Sequence, residues 1–381
     1  MKYRLGEICD VVSGGTPSRA TAEFWDGGTI PWIKIGNIQR KYVDEADEYI
    51  TQAGLEGSSA KMLSAGTILF TIFATLGEVG ILTIEACTNQ AIAGITIKNQ
   101  SDILTDYLYY FLKSQKSCIA ALGRGVAQNN INLSILRNFE VQIPDLPMQK
   151  QIVAILDKTA KVVEVRQQQL QQLDELVKAR FVELFGDGNH PHIALIDLII
   201  EGAGLSYGIV QPGDDGTGDM GVLRPVDMVD GKISTASIKY IDRSIGDGFK
   251  KTELYGDELL ITVRGTTGIT ALTDIRFNGM NVTRGIAVVR YDRNKINPVY
   301  LNAYLNTDES QRYIQEHTRG ATLQQINLSD LRVQQIMVPP LALQEQMAAF
   351  IEQTDKSKSV VQKALDEAQL LFDSLMQQYF G

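Results

Sequence analysis

The stretch "INLSILRNFEVQIPDLPMQKQI", residues Ile131–Ile152, returns 195 residues later as "INLSDLRVQQIMVPPLALQEQM", residues Ile326–Met347, with no gap. The match extends without a gap from Arg124 to Gly186 against Arg319 to Gly381, and both copies close on Phe-Gly. Upstream the likeness thins but keeps its order. "AGTILFTIFATLG" (65–77) matches "YGDELLITVRGTTG" (255–268) with one insertion, and "TNQAIAGITI" (88–97) matches "MNVTRGIAVV" (280–289). "DYLYYFLKS" (106–114) matches "VYLNAYLNT" (299–307). The 381 residues exceed what one hydrophobic core usually fills. The chain therefore reads as a tandem duplication of a unit of about 190 residues, variable first and similar last.

Each copy has two parts. The first, 1–147 and again 188–340, mixes alternating apolar runs such as "TILFTIF" and "ELLITV" with glycine-rich turns, which predicts strands. A short amphipathic helix is expected at 103–114 and its counterpart at 298–306. Asn132 and Asn327 stand where an N-cap would open a further short helix. The second part, 148–187 and 341–381, starts just after Pro147 or Pro340 and then runs free of Pro and Gly to Gly186 or Gly381, a long helix. Leu156, Val163, Leu170, Leu173, Val177 and Leu184 fall on a and d heptad positions in the first helix. Ile351, Val361, Leu365, Ala368, Phe372 and Leu375 do so in the second. Thr159, Arg166, Thr354 and Lys358 interrupt the stripes, so register is set by polar positions as well as apolar ones. At 1.5 Å per residue, helices of about 36 residues span roughly 50 Å.

Two apolar seams in one chain bury each other best as a pair. An antiparallel pair puts one mixed domain at each end, related by a pseudo-twofold axis. The fold class is thus α+β: two mixed α/β domains separated by two long helices that form an antiparallel coiled coil. Such a spacer suits DNA, whose half-sites are read about 34 Å apart.

The pattern "SGGTPSRATAEFWDGGTIPWIKIGNI" (13–38) resembles the start of a target-recognition domain in specificity subunits of type I restriction-modification systems. "INLSILRNFEVQIPDLPMQKQIVAILD" and "INLSDLRVQQIMVPPLALQEQMAAFIE" are similar to that family's junction between recognition domain and repeat helix. The resemblance covers the whole chain in the order recognition domain, helix, recognition domain, helix. The second domain departs at its start, where "ALIDLIIEGAGLSYGIVQPGDDGTGDMGVLRPVDM" has neither "TPS" nor Trp, as two different half-sites would require. The resemblance implies a non-catalytic subunit that reads an asymmetric, bipartite site on double-stranded DNA. It also implies two modification subunits docked on the helices and motor-nuclease restriction subunits joining them. No cofactor is expected on this chain; S-adenosylmethionine, ATP and Mg²⁺ belong to the partner subunits.

The residues agree with an absence of chemistry. No "GxxxxGK[ST]" loop and no "[DN]PP[YF]" tetrapeptide occurs, "VPPL" (338–341) being the nearest. His190 and His192 are expected to be solvated linker residues and His317 a surface residue, with no metal site. "GTGDMG" (216–221) fits a dinucleotide fingerprint only in letters, since it follows no strand, opens no helix and carries acids that repel phosphate. Three cysteines, Cys9, Cys87 and Cys118, suit a reducing compartment. No signal core and no run of about 18 apolar residues occurs, so a soluble cytoplasmic protein without membrane contact is expected.

A net charge of −9 and a pI near 5.0 run against DNA binding. Each recognition segment also holds more acidic than basic side chains, so the isolated chain should bind DNA weakly, with partners holding the backbone. Candidate contacts are Thr16, Ser18, Arg19, Lys34 and Asn37, then Arg124, Gln128 and Asn129 in "GRGVAQNN". In the second segment they are Arg224, Lys250, Lys251, Arg264 and Arg284, with Arg319, Thr322 and Gln324 in "TRGATLQQ". Arg can bridge guanine and Asn or Gln adenine in the major groove. Phe24, Trp25 and Trp32 are expected in the core and "DEADE" (44–48) on a solvated face away from DNA. Two rivals stand beside this reading: an adaptor with two protein-binding heads, and an enzyme of unrecognised chemistry. The duplicated positions are mostly apolar or glycine, which disfavours the second.

Overall fold

The computed structural model describes residues 1–116, 119, 131–186, 188–211, 213, 218–229, 231–321 and 323–381. The chain divides into two compact units, Met1–Gln168 with Gln362–Gly381, and Gln169–Val361.

The first unit is built on a five-stranded sheet in the order Cys9–Ser13, Ile92–Ile97, Ile68–Thr71, Val79–Leu82, Tyr42–Val43. A three-stranded sheet accompanies it, with Ile30–Ile33 between Glu48–Ile50 and Cys87–Thr88. Ile68–Thr71 and Val79–Leu82 are buried at every position, so the sheet carries core on both faces. The helix Thr105–Ser114 packs there with Tyr107 to Leu112 all buried. The second unit repeats the plan. Its four-stranded sheet runs Ser206–Tyr207, Ile286–Val289, Leu259–Leu272, Gln324–Gln325, and its three-stranded sheet sets Met220–Leu223 between Lys239–Ile241 and Asn281–Val282. Pro298–Leu305 takes the place of the first unit's helix, and a further helix, Asp308–His317, follows it.

Two helices of 40 residues occupy Leu146–Phe185 and Leu341–Phe380, the same positions in each repeat. The first helix starts one residue before Pro147 rather than after it. Proline's missing N–H is harmless in a first turn, where that N–H would have no helical partner. In the first unit Ile152 and Leu156, near the start of the central helix, share a core with Phe372 and Met376 near the end of the terminal helix. In the second unit Val177, Leu184 and Phe185 near the end of the central helix share a core with Met347 and Ile351 near the start of the terminal one. Start meets end in both units, so the helices run antiparallel. Of the heptad positions, Leu156, Ala368 and Phe372 are buried, while Val163, Leu170, Leu173, Val177, Leu184, Ile351, Val361, Leu365 and Leu375 are half-buried. Thr159 and Thr354 are buried in the stripes, and each hydroxyl donates to the carbonyl four residues back at 2.9 Å. Lys358 instead reaches across to Asp174 at 2.7 Å.

Each helix is bolted to the mixed segment that precedes it by one buried glutamine. Gln149 accepts from the Leu104 N–H and donates to the Asp102 and Pro144 carbonyls, all at 2.9 Å. Gln344 accepts from the Asn297 N–H at 2.8 Å and donates to the Pro339 carbonyl at 2.7 Å and the Lys295 carbonyl at 3.5 Å. The repeat also duplicates the bond from the Arg137 guanidinium to the Val11 carbonyl (2.7 Å), in Arg332 to Leu205 (2.8 Å). Asn132 caps its short helix by accepting from the Ile135 N–H at 2.9 Å, whereas Asn327 holds the same position without a side-chain cap bond. His192 is exposed, as expected, but opens a strand, His192–Ala194, rather than lying in a linker, and His190 is half-buried beside Phe185 rather than solvated. His317 is half-buried, stacked 4.0 Å from Tyr313.

Losing a buried amide leaves one N–H and two carbonyls without their partner, at a cost of about 3 kcal/mol. Gln149→Leu should therefore lower the melting temperature of the chain's first transition by roughly 5–10 °C in calorimetry, with exposed Gln151→Leu as a control near zero. A shift under about 2 °C would show that the bolt is dispensable.

Candidate nucleic-acid interface

In the first segment the turn "GGTPSR" is pinned by the two tryptophans. The Trp32 Nε1–H donates to the Gly15 carbonyl and the Trp25 Nε1–H to the Ser18 carbonyl, both at 3.0 Å. Trp32 is buried and Trp25 meets it edge-on with ring centroids 5.1 Å apart. The pinned turn sets the Arg19 guanidinium 3.7 Å above the Trp25 ring. Its Nη2 lies 2.5 Å from Glu48 Oε2, and Lys34 Nζ lies 2.7 Å from the other Glu48 oxygen. Thr16 donates its hydroxyl to the Gln90 amide oxygen. Asn37 spends its amide oxygen on the Lys34 N–H at 2.8 Å. Ser18 is exposed.

Glu48 therefore does not sit on a face away from the expected contacts, as its place in "DEADE" had implied. It is the hub between two of them. The Lys34 hydrogen bond holds its carboxyl below the usual glutamate range; partial burial opposes this and Arg19 reinforces it. A depressed carboxyl pKa keeps the pairing intact at neutral pH and loses it only as pH falls below that range. Exposed ion pairs are worth about 0–1 kcal/mol. The arrangement thus orients Arg19 and Lys34 at little energetic expense and leaves both able to change partner.

In the second segment Arg224 follows the strand Met220–Leu223 as Lys34 follows Ile30–Ile33. It turns inward: its guanidinium holds buried Asp227 at 3.0 Å and the Ser237 carbonyl at 2.5 Å. Lys250 and Lys251 are exposed at the end of the 3₁₀ segment Asp247–Thr252. Arg264 and Arg284 come together with Tyr207, Val210 and Gln325 around a cavity of about 170 Å³. The ladder joining Arg264 to Gln325 and Gly265 to Gln324 brings Gln324 alongside. Arg319 exchanges two 2.8 Å backbone bonds with Gln325, and its guanidinium lies 3.6 Å from Asp330. Arg124, Gln128, Asn129 and Thr322 lie outside the described residues.

Five residues at these sites were not singled out in the sequence: Glu48, Gln90, Tyr207, Val210 and Gln325. The sequence carries no signal for Gln90, because the ungapped match of "TNQAIAGITI" to "MNVTRGIAVV" sets Ile92, not Gln90, opposite Arg284. Among the described residues, no three His, Cys, Asp or Glu side chains gather as metal ligands. No described helix is long and apolar enough to cross a membrane. Of "GTGDMG", Met220 and Gly221 lie in the strand Met220–Leu223 and not in a helix.

Two mixed domains of similar plan, each packed on its own stretch of an antiparallel helix pair, define a duplicated two-domain scaffold. The family described as the type I restriction modification DNA specificity domain matches residues 1–175 and 219–369, and the chain belongs to it. It is 22% identical over 376 residues to the type I restriction enzyme MjaIX specificity subunit of Methanocaldococcus jannaschii, covering 92% of this chain and 85% of that one. Against the EcoR124I/EcoR124II specificity subunit of Escherichia coli it is 32% identical over 160 residues, 40% of this chain and 39% of that one. The fold is shared with the crystal structure of a type I restriction-modification S subunit from M. genitalium, with a TM-score of 0.58 and 15% identity over 100% of this chain and 96% of that one.

Removing the hub charge is the direct test of the Glu48 arrangement. Glu48→Gln should strengthen low-salt DNA binding by the assembled complex and steepen the slope of log K against log salt by about 1, read by fluorescence anisotropy. An unchanged slope would mean that Arg19 and Lys34 stay away from phosphates.

Proposed function

We propose that the chain chooses an asymmetric two-part DNA sequence for partner enzymes, each recognition segment reading one half. The observation that carries this reading is the repeat itself. The two copies agree where segment joins helix and differ at the polar edge of each sheet. Junction bonds such as those of Gln149 and Gln344 are kept, while the pairing of Arg19 with Glu48 in one segment has no counterpart among the described residues of the other. A scaffold needs sameness at its joints; a reader of two different half-sites needs difference at its contacts.

The paired helices set the spacing of the half-sites and dock two methyltransferase subunits, with motor-nuclease subunits joining them. Methylation and cleavage are assigned to those partners, which carry S-adenosylmethionine, ATP and Mg²⁺. The net charge of −9 fits this division, because base contacts can come from this chain while partners hold most of the phosphate backbone. Residues 1–147 and 188–340 are the proposed readers and 148–187 and 341–381 the proposed spacer; a cytoplasmic location follows from the substrate.

The chain co-expressed with its methyltransferase should place N6-methyladenine in one bipartite motif, mapped by long-read sequencing. Exchanging residues 1–147 for the corresponding segment of a relative should change one half of that motif and leave the other. A motif indifferent to the exchange, in a complex shown to assemble, would favour the adaptor with protein-binding heads.

A further inference from the structure

The strand ladders put one set of side chains from each segment at the same place in the fold. Trp32 pairs with Glu48 on one side and Cys87 on the other, and Val222 pairs likewise with Lys239 and Asn281. Gln90, the third residue past Cys87, therefore corresponds to Arg284, the third past Asn281. Thr71 pairs with Ile92, and Thr262 with Ile286. The hydroxyls of Thr71 and Thr262 accept the N–H of Glu78 and Ile269 at 2.8 and 2.9 Å, so the two hairpins match in length. Phe73–Ala74 then corresponds to Arg264–Gly265. Both Ala74 (φ 59°) and Gly265 (φ 89°) hold the left-handed backbone which that turn needs. Ser13 pairs with Ala93 as Tyr207 pairs with Ala287, so Thr16 corresponds to Val210.

One site in the fold thus carries Thr16, Phe73 and Gln90 in the first segment and Val210, Arg264 and Arg284 in the second. The first set is neutral, with Gln90 held by the Thr16 hydroxyl. The second has two guanidiniums, neither with an ion pair or side-chain hydrogen bond among the described residues, around a cavity of about 170 Å³. A phosphate grip should keep its charge in both segments, because the DNA backbone is the same in every half-site. A position free to change from amide to guanidinium is one that meets something different in each half. Gln matches the N6 and N7 edge of adenine, and Arg the O6 and N7 edge of guanine.

Resting on the function proposed above, we propose that this position is the base-reading centre of each segment. Arg264 and Arg284 select guanine in the second segment's half-site, and Gln90, positioned by Thr16, selects adenine in the first's.

The test uses the full chain assembled with its methyltransferase partner, a random-sequence duplex DNA pool, and sequencing of the bound fraction. The expected wild-type motif has guanine in one half and adenine in the other. Arg284→Gln should weaken preference at a guanine of one half by about tenfold or more and spare the other half. Arg284→Lys, which keeps the charge but loses the planar fork, should keep overall binding and lose the same preference. Gln90→Arg should move an adenine preference in the opposite half towards guanine. A loss spread over both halves, or full rescue by Lys, would make the site a phosphate grip and overturn the inference. A motif unchanged by all three variants would overturn it too, leaving the bipartite function standing. A wild-type complex that enriches no motif would instead sink the function on which the inference rests.

Discussion

A buried amide that must give two hydrogen bonds and accept one decides where each long helix leaves its recognition segment. Gln149 and Gln344 are both fully buried, and each joins the first turn of a helix to two backbone segments beside it. A carboxylate there would lack the donor and would be costly to bury; an apolar residue would orphan all three backbone groups. With the exit fixed, the hydrophobic stripe of each helix is aimed. Tyr107 and Tyr300 reinforce the joint by donating their hydroxyls to the equivalent carbonyls of Gln142 and Met337 at 2.7 and 3.0 Å.

The helix stripes are neither wholly apolar nor freely polar. Thr159 and Thr354 satisfy their hydroxyls within their own helix, so their burial costs little. Lys358 requires a partner, and Asp174 supplies it from the other helix. Apolar residues alone would tolerate a shift of one helix along the other; the pairing of Lys358 with Asp174 favours this register over its neighbours. In the first unit a second polar tie acts at the base of the sheet. Lys41 lies 2.6 Å from Asp106 and 2.5 Å from Asp157 on the central helix. Burial works against its charge, but the two carboxylates outweigh that and hold the lysine above its ordinary range. The recognition segment and the helix are therefore joined by apolar packing, a neutral amide and a charged triad.

Electrostatics separate the two recognition segments more than their folds do. The first holds its cations on Glu48 and stacks Arg19 on Trp25; the second leaves Arg264 and Arg284 in a cleft and folds Arg224 inward on Asp227. An acidic chain that acts on a polyanion has to place its few cations well. Pairing that is weak because it is exposed keeps them oriented without making them unavailable.

Much of the architecture was legible in the sequence. The ungapped repeat, the heptad stripes and the stop at Gly186 are local or periodic signals, and they set the number of units, the two helices and their pairing. Local signals also misled. "DEADE" reads as a solvated acidic run, yet the strand Glu48–Ile50 carries Glu48 onto Arg19 and Lys34. Arg224 reads as a candidate DNA contact, yet the turn that follows it supplies Asp227. Neither the Arg264–Arg284 cleft nor the match between Gln90 and Arg284 could be read from spacing, because each joins residues from separate strands. Periodicity determines which face of an element is apolar. Which polar ends meet depends on the register of one strand against another, and that register is decided only when the whole sheet closes around its core.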